Sequence, residues 1–137
     1  MIEITYNKLI PNIVTESTMK DTNGAVVTFL GTTRDTFEGK DVVHLEYEAY
    51  ESMAIKKLNE ISSEAKQKYN INDVSISHRI GTVGVGEISL IVAVASPHRS
   101  EAFHACNELV DRLKEVVPIW KKEIYSDGSR WVGSEHI

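Results

Sequence analysis

The stretch SPHRSEAFHACNELVDRLKEVVPIWKKE, Ser96 to Glu123, decides how the rest of the chain is read. Ser96 followed by Pro97 is a helix-start signal: a hydroxyl to cap, then a residue whose missing N–H costs nothing in the first turn. Ala102, Phe103, Cys106, Leu109, Val110, Leu113 and Val117 then recur at helical spacing and give one apolar face over about five turns. Pro118 stops the helix, and Ile119 to Tyr125 reads as a strand. The polar groups are less ordinary than the apolar ones. His98 and Arg99 stand at the helix start, Lys114 lies beside the apolar face near its end, and Lys121 and Lys122 follow on the strand. A helix start already carries unpaired N–H groups and partial positive charge, so an Arg there costs a little stability unless an anion lies between them.

Outward from this stretch the signals alternate between strand and helix. Toward the C-terminus, Asp127-Gly128 is a turn before a short closing segment around Trp131. On the other side, Ile88–Ala95 is the most apolar strand, reached through Gly81, Gly84 and Gly86. Those glycines are not a phosphate loop, because a strand follows where the nucleotide motifs need a helix; they read as a hairpin turn. Val74, Ile76, His78 and Ile80 alternate with Asp73, Ser75, Ser77 and Arg79 as a strand, which puts His78 on the buried side as a hydrogen-bonded core histidine. Ala54, Leu58, Ile61 and Ala65 mark a helix from Glu51 to Tyr69. Val43, Leu45, Tyr47 and Ala49 mark a half-buried strand, with Glu46 and Glu48 on its other face as a possible acid/base pair or a solvated edge. Ala25 to Leu30 is apolar on both faces, as a covered inner strand would be, and leads through Gly31-Thr32-Thr33 to Arg34 and a polar, mobile loop from Asp35 to Asp41. Ile2 to Tyr6 is a strand and Leu9 to Met19 a weak helix. The expected class is α+β, with a mixed sheet, two main helices and no internal repeat or linker in residues 1–137.

Composition bounds the function. A length of 137 residues with 42% hydrophobic and 26% charged residues is that of one globular domain. No run approaches the roughly 18 apolar residues of a membrane helix, and the N-terminal MIEITYNKL has no basic-then-apolar signal pattern. A single cysteine excludes an internal disulfide and a multi-cysteine metal site, and fits a reducing cytoplasm. Cys106, on the apolar helix face, reads as a small hydrophobe. His44, His98 and His104 show no metal-ligand spacing. A net charge of −5 argues against a nucleic-acid surface, including a single-stranded RNA groove built on Trp120, Tyr125 and Trp131. Arg34, His98, Arg99, Lys114, Lys121 and Lys122 on an acidic chain, all at element ends, read instead as a local pocket for a small polyanion. A lysine crowded by cations can also serve as base or nucleophile.

Five motifs occur in order: Gly31-Thr32-Thr33-Arg34, Leu45-Glu46-Tyr47-Glu48-Ala49-Tyr50, His78-Arg79-Ile80-Gly81, Ser96-Pro97-His98-Arg99 and Pro118-Ile119-Trp120-Lys121-Lys122-Glu123. Together they closely resemble the large, catalytic subunit of molybdopterin synthase, the MoaE family, over almost the whole chain. Pro97 stands where a small residue is expected.

The resemblance implies an α/β hammerhead-like fold with a small additional antiparallel sheet. It implies an enzyme that turns cyclic pyranopterin monophosphate into molybdopterin by installing two sulfurs as a dithiolene. The sulfur would come from the C-terminal Gly-Gly thiocarboxylate of a small ubiquitin-like carrier (MoaD-type), held by a homodimer within a heterotetramer. By motif, Lys114 and Lys121 would be catalytic, and Arg34, His98 and Arg99 would bind the substrate's anionic groups, with Lys122 beside them. No metal or cofactor is implied. The substrate carries a phosphate and the donor a thiocarboxylate, so both need cations. The chain ends Ser134-Glu135-His136-Ile137, without Gly-Gly, so on this reading the carrier is a separate protein. A non-enzymatic anion-binding or scaffold protein would use the same basic cluster. One length sharpens the expectation: Arg99 and Lys114 lie fifteen residues apart, about 22 Å along a helix at about 1.5 Å per residue. A pterin monophosphate is about half that long, so a shared pocket requires His98 and Arg99 of one chain to face Lys114, Lys121 and Arg34 of another.

Overall fold

The structure, a computed structural model, describes residues 1–132; residues 133–137, with the closing Ser134 to Ile137, lie outside the described residues. Twelve elements follow in chain order: β1 (Ile2–Thr5), α1 (Pro11–Glu16), β2 (Ala25–Thr32), β3 (Thr36–Phe37), β4 (Lys40–Ala49), α2 (Glu51–Lys68), β5 (Asp73–Arg79), β6 (Gly81–Gly84), β7 (Ile88–Ser96), α3 (Arg99–Val116), β8 (Ile119–Tyr125) and β9 (Gly128–Val132). They form two sheets. The first is mixed, in the order β1-β5-β7-β2, with β1 parallel to β5 and the remaining pairs antiparallel. The second is antiparallel, in the order β3-β4-β8-β9, with β6 also on β4. The fold is α+β as expected. The additional sheet is not small, since it holds five strands against four.

β7 is covered on both faces, which is why its sequence is a continuous apolar run. Leu90, Val92 and Val94 join the main buried cluster, while Ile91 and Ala93 turn the other way and meet Val14 of α1. The main cluster takes Ala54, Leu58, Ile61 and Ala65 from α2 and Ala102, Ala105, Cys106, Leu109, Val110 and Leu113 from α3. It also takes Leu45 and Tyr47 from β4 and Ile119 and Tyr125 from β8, so one core serves both sheets. Burying each such Leu, Ile or Val stabilises the fold by about 1.5–3 kcal/mol.

Several expectations are corrected. α3 starts at Arg99 and not at Pro97, because β7 runs on through Ser96, His98 holds an extended N-cap conformation, and the Ser96 hydroxyl donates to the His98 carbonyl. Phe103 is exposed; Ala105 takes its place in the apolar stripe, since Phe103 falls on the margin of that stripe in the first turn. β2 is an edge strand, with Leu30 exposed. Within β4 the register shifts between Val42 and His44, and this bulge sends Val43 outward and Val42 inward. The segment 35–41 is not an open loop. Thr36–Phe37 pairs with Lys40–Asp41 across Glu38-Gly39, both with positive φ (50° and 78°), as a two-residue hairpin turn needs. The glycine-punctuated connection carries β6, a strand of the second sheet, and so crosses between sheets. The Leu9–Met19 helix shortens to Pro11–Glu16.

Gly24 shows where the two ends of this layer are pressed together. Its N–H donates to the Ser96 carbonyl at 3.0 Å, and a Cβ there would sit 2.4 Å from the Pro97 carbonyl oxygen. Backbone cannot swing aside as a side chain can. Gly24→Ala is therefore expected to destabilise the protein by about 1–3 kcal/mol in urea unfolding, with the α3 start as the first region to gain amide exchange.

Candidate active site

The ends of four segments meet around a cleft of about 440 Å³ between the two sheets. That volume lies in the range of small-molecule sites, roughly 300–1,000 Å³. Arg34 enters just past the end of β2, with its guanidinium 5.7 Å from the centre of the Phe37 ring, a cation–π contact that ties it to the β3–β4 hairpin. Lys114 enters from the last turn of α3, where a cation complements the helix C-terminus. Lys121 and Glu123 enter from β8 on one face, because side chains two apart on a strand point the same way. Lys121 sits opposite Tyr47 of β4 and Glu123 opposite Leu45, and both of these also line the cleft. Phe29, Phe37, Leu45 and Leu90 supply the apolar part of the lining, beside Thr32, Thr33, Thr36 and Ser89.

Of the residues singled out in the sequence, Arg34, Lys114 and Lys121 come together here. The others do not. Lys122 pairs in register with Glu46 on the opposite face of β8, away from the cleft. Glu46 itself lies 3.2 Å from the His44 imidazole and is not paired with Glu48. His98 and Arg99 are exposed at the far end of α3 and do not line this chain's cleft. Glu123 was missed. It is only 3% exposed, and its signal was available in the strand period, two residues after Lys121. A buried carboxylate among three cations lowers the charge density they would otherwise impose on one another.

His78 is at the floor, fully buried, with its ring edge-on to Tyr47 at 5.2 Å between centroids. Its Nδ1 lies 2.8 Å from the Arg79 carbonyl oxygen. A carbonyl only accepts, so Nδ1–H donates and Nε2 keeps its lone pair. Burial pushes the imidazole pKa down to about 4, against the smaller opposing pull of that carbonyl. Cys106, also core, has its thiol pushed up to about 11 by burial and points at the Val92 carbonyl, the behaviour of a packing residue. Among the described residues no group of three or more His, Cys, Asp or Glu is arranged to hold a metal, and no helix is long and apolar enough to cross a membrane.

Three cations and a buried carboxylate around a cleft of mixed polar and apolar lining give an α+β protein a site of the kind that suits a small anionic molecule. Comparison makes this specific. Residues 4–116 match the family model described as MoaE protein. The chain is 42% identical over 133 residues to the molybdopterin synthase catalytic subunit of Bacillus subtilis, covering 97% of this chain and 85% of that protein. It is 43% identical over 135 residues to the human molybdopterin synthase catalytic subunit, covering 98% and 72%. The crystal structure of molybdopterin synthase from Staphylococcus aureus superposes with a TM-score of 0.92 at 43% identity, covering 96% of both chains. The chain belongs to the MoaE family.

The neutral His78 gives a pH dependence of known sign. Its folded pKa lies below the unfolded value near 6.5, so its contribution is full above about pH 6.5 and falls as pH drops from there toward about 4. Unfolding in urea at pH 7 and pH 5 should show roughly 2 kcal/mol less stability at the lower pH from this residue. His78→Gln removes a titrating group at that site and should flatten this part of the profile.

Proposed function

We propose that this chain is the catalytic subunit of a molybdopterin synthase, a sulfurtransferase that moves sulfur from the C-terminal thiocarboxylate of a small ubiquitin-like carrier to cyclic pyranopterin monophosphate. The observation that carries the reading is the convergence of Arg34, Lys114 and Lys121, eighty-seven positions apart at the extremes (121 − 34), on one cleft in a MoaE-family chain. Lys121 and Lys114 are assigned the proton transfers and the stabilisation of charge that builds on the carrier's acyl group, and Arg34 the substrate's anionic group. Residues 1–137 act as one MoaE-like unit, and on this reading it works in the cytoplasm.

His98 and Arg99 enter this reading through a second copy. α3 spans Arg99–Val116, so its two ends are separated by about 1.5 Å per residue, some 22 Å between Arg99 and Lys114. We infer a homodimer in which each cleft receives His98 and Arg99 from the neighbouring chain, with one carrier on each outer end to make a heterotetramer. Lys122, on the opposite face of β8, is assigned no part in substrate binding.

Incubation with thiocarboxylated carrier and the pterin precursor should yield a dithiolene product; binding without conversion would leave only an anion-binding protein. Lys121→Ala should cost roughly a hundredfold or more in rate while changing stability by no more than about 1 kcal/mol. Lys121→Arg keeps the charge and cannot readily give up its proton, so full activity there would limit this lysine to a cationic role. For the composite site, mixing Arg99→Ala chains with Lys114→Ala chains should restore about a quarter of wild-type activity, since half the dimers are mixed and each has one intact cleft of two. No restoration on mixing, with chain exchange verified, would mean that each site is built within one chain.

A further inference from the structure

Two buried polar atoms of residues that line the cleft, His78 Nε2 and Thr33 Oγ1, have no hydrogen-bond partner among the described residues. Each belongs to a residue that is otherwise fully accommodated. The Thr33 N–H donates to the Glu87 carbonyl at 3.1 Å and its own carbonyl accepts from the Gly86 N–H at 2.8 Å. The His78 Nδ1–H is used by the Arg79 carbonyl, and its ring is packed against Tyr47. What is left over in each case is one buried polar atom of a residue that lines the same cleft. Buried polar groups without partners are rare because each gives up its hydrogen bonds to water and gains nothing in return. Two on one cleft point to a ligand.

Resting on the function proposed above, we propose that His78 Nε2 and Thr33 Oγ1 are two neutral recognition points on the cleft for the pterin heterocycle, His78 accepting from a ring or amino N–H and Thr33 supplying a hydroxyl at a separate point. The cations Arg34, Lys114 and Lys121 then hold the anionic parts of the substrate, and the floor reads the uncharged part. The Arg79 carbonyl fixes the tautomer that leaves Nε2 an acceptor, and burial keeps the ring neutral at physiological pH. Phe29, Phe37, Leu45, Tyr47 and Leu90 line the same space and supply apolar and aromatic surface for a ring. A diglycine tail of the carrier has no side chain with which to fill such walls. The chemistry also gives selectivity. A site built around a hydrogen bond rejects an analogue that lacks the donor far more strongly than an apolar pocket rejects a change of shape.

The test compares His78→Met, His78→Gln and Thr33→Val, each measured by calorimetry for cyclic pyranopterin monophosphate and, separately, for the carrier, with melting temperature recorded. His78→Met fills the space without an acceptor and should weaken precursor binding at least about tenfold, the equivalent of one good hydrogen bond. His78→Gln keeps an acceptor and should recover most of that loss. Thr33→Val keeps the shape, and should weaken precursor binding several-fold without lowering the melting temperature. Carrier affinity should be unchanged in all three. Wild-type affinity for the precursor in His78→Met and Thr33→Val would overturn the proposal. So would a loss that His78→Gln fails to recover, which would make the histidine structural, or a loss confined to carrier binding, which would assign the floor to the carrier's tail. If the wild-type protein itself bound no precursor, the proposed function would fall first.

Discussion

The burial of α3 against the helix-side face of the first sheet is the constraint from which the rest of the molecule follows. Leu109 and Leu113 of α3 share one buried cluster with Val92 and Val94 of β7, and the Cys106 thiol reaches toward the Val92 carbonyl at 3.7 Å. With that face fixed, the two ends of the helix have no freedom. Its C-terminal turn must arrive where Val117 and Ile119, both fully buried, hand the chain to β8 and the second sheet. Lys114 is therefore delivered beside Lys121 by packing, not by attraction between the two. The opposite end, with His98 and Arg99, is carried as far from the cleft as the helix is long.

Charge then limits how such a cleft can be built. The chain is acidic as a whole, with a net charge of −5, yet it collects Arg34, Lys114 and Lys121 at one place. Elsewhere several of its cations pair with carboxylates: Lys68 with Glu108, Lys20 with Asp73, Arg112 with Glu64 and Glu115. Such exposed pairs add little to stability, a median near 0–1 kcal/mol. Lys68 nevertheless holds the Glu108 carboxyl below its ordinary range. The cleft differs because its carboxylate, Glu123, is buried, and because an anionic ligand can supply the remaining negative charge.

What could be read from the sequence divides along physical lines. Periodicity found α2 and α3 because their stripes are long and are decided by burial alone; Ala54, Leu58, Ile61 and Ala65 all fall inside. β7 was legible as a doubly covered strand for the same reason. β2 was misread by that rule, since Val27 and Phe29 pack on the main cluster while its outer edge stays open, and composition does not distinguish an edge from an inner strand. The bulge at Val42–Val43 and the hairpin at Glu38-Gly39 are set by backbone geometry that single residues barely announce. Basic residues at element ends picked out Arg34, Lys114 and Lys121, but adjacency misled at Lys122: neighbours on a strand face opposite ways. Applied at that point, the same alternation finds Glu123.

The unpartnered atoms carry this reasoning one step further. Among the described residues, the buried side-chain atoms without a partner belong to Thr33, Ser62, His78 and Glu101, and two of those four line the cleft. A core built only for stability would have no use for a histidine at His78, where an apolar side chain would fill the space without stranding Nε2. Nor would it need a threonine at position 33, where valine has the same shape. Strain and unmet hydrogen bonds tend to gather where a fold gives up stability for function. The polar atoms of the floor therefore stand in the same relation to the cleft as the cations at its rim. Each group is a local disadvantage to the empty protein, and on the proposed function each would be answered by one part of a ligand that is charged at one end and hydrogen-bonding at the other.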